Sequence, residues 1–138
     1  MTAAVGLGRM QHDEDPAEAI FKQVGMKNGK IPGFTLLKND VLCGIYKRPE
    51  KTQGGILLTQ TTRQEDEYQG KAALVLMKGE AAFQSDKNFD FLGDNLEVGD
   101  WVMLFVSHGL KCYVNGQLCR IIRDQDLTMK IPSPDQVY

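Results

Sequence analysis

The amino-acid sequence predicts an all-β protein, a small barrel or sandwich preceded by one short helix, and three observations carry that prediction. After Gly29 the chain consists of short β-rich runs separated by Gly, Pro and acid clusters, which is the grammar of short strands and tight turns. Val114-Asn115-Gly116-Gln117 sets Asn-Gly between two such runs, and this dipeptide supplies both φ > 0 residues of a two-residue type I′ hairpin. A chain of 138 residues, 42% hydrophobic and 25% charged, has the size and composition of one globular domain with a single core.

Each element follows from local chemistry. Asp15 followed by Pro16 is an N-cap with proline at the first helical position, which opens a helix over Pro16 to Val24 whose apolar stripe is Ile20, Phe21 and Val24. Strands are expected at Phe34–Leu37, Val41–Tyr46, Lys71–Met77, Trp101–Val106, Cys112–Val114, Leu118–Arg123 and Leu127–Ile131. The Asn-Gly turn fixes its own register: Val114 opposes Gln117, Tyr113 opposes Leu118 and Cys112 opposes Cys119. At ~5 Å between Cα atoms the facing cysteines can form a disulfide or remain a reduced pair filling a small pocket, and a cytosolic setting favours the reduced pair. Val41 to Tyr46 and Trp101 to Val106 are apolar at consecutive positions, so both faces of those strands are covered. In so short a chain the simplest second cover is another subunit, which points to an oligomer.

Charge and motifs exclude several functions. A formal charge of -2 gives no general attraction to nucleic acid or anionic membrane, so neither is expected as a partner. No apolar run approaches the ~18 residues of a membrane span, and the N-terminus carries an acidic cluster, unlike a signal peptide. Three cysteines, an odd number, suit a reducing compartment. Cys43, Cys112, Cys119, His12 and His108 lack metal-ligand spacing, so no metal is expected. Ser107, His108 and Asp100 hold the atom types of a hydrolase triad without the strained elbow that would present the serine. Gly6-Leu7-Gly8 neither follows a strand nor opens a helix, which leaves a phosphate cradle unsupported. The protein reads as a non-enzyme without a cofactor.

The segment Lys47 to Gly70 is different. It places Ile56, Leu57 and Leu58 behind an adjacent glycine pair, between polar flanks and the acid run Gln64-Glu65-Asp66-Glu67. Two readings stand: a strand that tucks its leucines inside, or a flexible loop carrying a hydrophobic plug for a groove on another protein.

The chain resembles GroES-type co-chaperonins over about residues 34 to 131. Asn39-Asp40-Val41-Leu42 followed by Tyr46-Lys47-Arg48 resembles the family's first core strand. Gly54-Gly55-Ile56-Leu57-Leu58-Thr59 resembles its mobile-loop signature, and Gln69-Gly70-Lys71-Ala72-Ala73-Leu74-Val75-Leu76 the strand that leaves the loop. Leu96-Glu97-Val98-Gly99-Asp100-Trp101-Val102 resembles the turn into a later strand, and Asp124-Gln125-Asp126-Leu127 the C-terminal segment.

The resemblance implies a small, partly open GroES-like β-barrel at residues 31–131, with a mobile loop at 47–70 and a roof-like insertion at 79–95. An N-terminal extension with the short helix (1–30) precedes it, and a tail (132–138) follows. It implies a ring, seven subunits in that family, that caps a chaperonin and helps fold a client. Gly54 and Gly55 become the flexible turn, and Ile56, Leu57 and Leu58 the chaperonin contacts. Phe34 and Leu36 on one subunit would meet Leu127, Met129 and Ile131 on its neighbour. The extension, the tail and the unusual Gly79 to Asn95 depart from the family pattern. This form is similar to co-chaperonin-like proteins of tailed bacteriophages. The implied location is the cytoplasm of the bacterial host, the chaperonin being the host's or phage-encoded, with phage capsid or tail proteins as further partners. The alternative is a structural component of the virion, a decoration or connector protein on the same barrel.

Overall fold

The computed structural model describes residues 14–48, 57, 59–60, 71–84, 95–105 and 107–137. Helix α1 (Pro16–Val24) begins where Asp15 accepts a hydrogen bond from the Glu18 amide through its side chain, and it ends at Gly25 in the left-handed conformation. Six strands follow: β1 (Asp40–Ile45), β2 (Ala72–Lys78), β3 (Trp101–Met103), β4 (Leu110–Val114), β5 (Gln117–Arg123) and β6 (Met129–Ile131). They form one antiparallel sheet in the order β4-β5-β1-β2-β3-β6. The strands at its two ends do not pair with each other, so the barrel is open.

The hairpin register is as expected: Val114 opposes Gln117, Tyr113 opposes Leu118 and Cys112 opposes Cys119, with Asn115 and Gly116 at φ 51° and 88°. Four strands differ from expectation by two residues or more, one of them β4, which opens at Leu110 rather than Cys112. Residues 34–37 are irregular, because Gly33 and Lys38 at positive φ bend the chain on either side and no strand among the described residues lies alongside to pair with them. The third and last strands shorten to Trp101–Met103 and Met129–Ile131, since β3 is laddered only to Ala72–Leu74 on one side and to β6 on the other. Single bonds from Leu104 N to Lys71 O (2.9 Å) and Thr128 N to Met103 O (3.0 Å) carry both ladders one step further.

Two apolar clusters lie on opposite faces of the sheet. Leu42, Tyr46, Leu74, Leu76, Trp101, Cys119 and Ile131 join Ile20, Val24 and Ile31 on one. Val41, Cys43, Ile45, Val75, Val102, Leu118 and Ile122 join Ala82, Phe83, Leu96 and Leu104 on the other. The consecutive apolar positions of β1 are therefore covered within one chain, and the argument that a second subunit must supply the cover does not hold. The cover on the first face is α1 and the segment after it, together with Val137 of the C-terminal 3-10 turn Pro134–Val137.

Candidate functional site

The connection from β1 to β2 leaves the sheet at Tyr46 and re-enters it at Lys71. Both ends are pinned. Tyr46 donates its backbone N–H to Ala72 O (2.9 Å), closing the last rung between the two strands, and Lys71 O accepts from Leu104 N (2.9 Å). The Tyr46 ring is buried edge-on against Trp101, with centroids 5.8 Å apart, and its hydroxyl donates to Asp135 Oδ1 at 2.5 Å. That short, carboxylate-accepted bond joins the start of the connection to the C-terminal turn.

Of the residues expected to bind a chaperonin, Gly54, Gly55, Ile56 and Leu58 lie outside the described residues. Leu57 is described and is 67% exposed, so its side chain is not part of the core. Of the residues expected at a subunit interface, Phe34 and Met129 are 46% and 48% exposed. Leu36 and Leu127 are half-buried against the first and second clusters. Ile131 is buried in its own chain, so only its backbone faces outward along β6. β6 is an edge strand with one side unladdered among the described residues, a geometry open to a further strand.

The far end of the sheet is held by Asp124. Its carboxylate accepts from Phe83 N (2.7 Å) and Asn39 Nδ2 (3.2 Å), while its own amide donates to Asn39 O (3.0 Å). This fixes the turn 79–83, placing Ala82 and Phe83 on the second cluster, with Phe83 at φ 61°. The remainder of the expected roof-like insertion, 85–94, lies outside the described residues.

Two of the three triad candidates, Asp100 and His108, have structural roles. Asp100 accepts from Glu97 N (2.9 Å) and pairs with Lys130 (3.6 Å), whereas His108 packs against Phe105 and gives its backbone oxygen to the buried Arg120 (2.7 Å). Burial lowers the Arg120 pKa from its ordinary value. Among the described residues no three His, Cys, Asp or Glu side chains converge on a metal position. All three cysteines are free thiols. Burial pushes the Cys43 and Cys119 thiols up to about 12, opposite to what a nucleophile or metal ligand requires. No described helix is long and apolar enough to cross a membrane.

Sequence reasoning missed the two carboxylates that organise the ends of the sheet. Asp124 and Asp135 stand in stretches noted only as a family-like segment and a departing tail, and their partners, Asn39 and Tyr46, are about 90 residues away. Nothing local in the sequence connects them.

No curated protein matches the chain. A family model, that of the chaperonin 10 Kd subunit, matches residues 34–131, the larger part of the chain. The match opens at the irregular segment before β1 and closes at the end of β6, so it spans all six strands and the connection pinned at Tyr46 and Lys71. The chain thus belongs to the chaperonin 10 Kd subunit family, whose members are non-enzymatic co-chaperonins.

Proposed function

We propose that this protein is a bacteriophage-type co-chaperonin, a ring of identical subunits that caps a chaperonin through residues 54–58 and assists folding of a client such as a phage capsid protein. The observation that carries the reading is the position of the Gly-Gly-aliphatic triplet within the family match, on a connection whose two ends are fixed at the rim of the sheet. Burying Ile56, Leu57 and Leu58 yields on the order of 5–9 kcal/mol. Ordering ten residues of the connection costs about 10 kcal/mol or more. One copy therefore binds poorly, and copies on a ring bind together through effective concentration. This is the physical reason for a ring; the family's seven subunits are the expected number. The free edge of β6, Met129–Ile131 with Leu127 before it, is the surface offered to Phe34 and Leu36 of the next subunit.

The flanks favour a cap over a virion component. A particle subunit would use its termini as arms across a neighbour, yet Ile20, Val24 and Val137 pack against the chain's own sheet. Native mass spectrometry of the protein alone and mixed with purified bacterial chaperonin and ATP tests the proposal. A closed ring that joins the chaperonin end-on supports it, and a monomer that ignores the chaperonin refutes it.

A further inference from the structure

We propose that Asp135 is a positioning residue for the connection between β1 and β2, holding its departure point in place through Tyr46; the functional consequence rests on the reading of residues 54–58 as the chaperonin-binding segment. Tyr46 is the first residue past β1, and the contacts that fix it include the backbone bond to Ala72, the edge-on packing against Trp101 and the hydroxyl bond to Asp135. The first two partners lie inside the family-matched stretch. Asp135 lies beyond it, in the turn Pro134–Val137, whose Val137 also packs on the first cluster. Residues that the family model does not account for thus reach back to the base of its functional segment.

The chemistry makes this more than incidental packing. Both side chains are buried, so the hydroxyl and the carboxylate have little water to exchange for one another, and losing either leaves a polar atom sheltered without this partner. Without Asp135 the Tyr46 ring keeps its packing but loses a bond that orients it, and the ladder rung to Ala72 becomes more exposed to fraying. Fraying lengthens the flexible connection, which lowers the effective concentration of the proposed binding segment at a partner. A small loss in each copy compounds over the copies of a ring.

The test uses the full chain with Asp135→Ala, Tyr46→Phe and Asp135→Asn, the last keeping an oxygen that accepts the hydroxyl. Hydrogen exchange is followed in peptides covering residues 46–48 and 71–73, with β5 as an internal reference, and affinity for purified bacterial chaperonin is measured in parallel. In Asp135→Ala and Tyr46→Phe, exchange at the two ends of the connection rises at least tenfold with β5 unchanged, and affinity falls about tenfold. Asp135→Asn stays close to wild type in both. Unchanged exchange at 46–48 in Asp135→Ala and Tyr46→Phe, or acceleration in Asp135→Asn equal to that in Asp135→Ala, overturns the positioning role. Wild-type protein that does not bind the chaperonin refutes the co-chaperonin reading instead, and the exchange measurement still decides what Asp135 does.

Discussion

A methyl group at position 44 would lie 2.9 Å from Ile20 Cγ2 and 3.0 Å from Leu76 Cδ1, so glycine in the middle of β1 is what lets α1 settle on the sheet. Ile20 is β-branched and has little rotamer freedom with which to yield. Gly44→Ala is expected to cost roughly 1–3 kcal/mol, seen as a lower melting temperature with the strand content unchanged. The buried thiols give a second prediction at this scale. In the folded chain Cys43 and Cys119 stay protonated up to about 12, whereas the unfolded chain releases those protons from the ordinary value of 9.0. Their contribution to stability is therefore complete below pH 9 and is lost as pH rises toward 12, at about 1.4 kcal/mol per pH unit for each thiol. Denaturant titrations between pH 8 and 11 should show that fall, with Cys43→Ala removing one thiol's share of the slope. The facing of Cys112 and Cys119 was readable in the sequence because Asn-Gly sets register over a few residues. The need for Gly44 was not, because the atom it makes room for is on a helix distant in the chain.

α1 and the β4-β5 hairpin hold one another. Asn115 Nδ2 donates to Val24 O at 2.7 Å, and Gln23 Nε2 donates to Asn115 O at 2.6 Å, so the residue that makes the turn also anchors the helix end. Asn115→Ala loses the first bond and places an unfavourable residue at φ 51°, for an expected cost of about 1–2 kcal/mol. Asn115→Gly keeps the turn and loses only the bond, so chemical denaturation should rank it between the wild type and the alanine variant. Helix and hairpin were legible because capping and turn chemistry are local. The strand expected at residues 34–37 was not, since a strand exists only when something pairs with it, and among the described residues of the chain nothing does. The cover of the sheet's two faces was misread for a related reason: apolar residues at consecutive positions demand cover but do not say which segment provides it.

On the scale of the whole molecule, the family-matched stretch is incomplete as a folding unit. Ile20, Val24 and Ile31 lie outside it and are buried in the first cluster. Removing residues 1–31 uncovers Leu42, Leu74 and Leu76 and is expected to yield an aggregating or unfolded product, whereas a cap whose flanks were mere additions would fold without them. Gel filtration of the truncated chain distinguishes these outcomes. The triplet at 56–58 suggests a hydrophobic plug because aliphatic residues among glycines and polar flanks bury little apolar area of their own, and that reading is a proposal to be tested. The most direct measurement is therefore a chaperonin pull-down with wild type and Ile56→Asp, accompanied by the oligomeric state of each. Loss of chaperonin from the mutant with its ring intact is the predicted result, and equal recovery of chaperonin by both proteins would contradict the account.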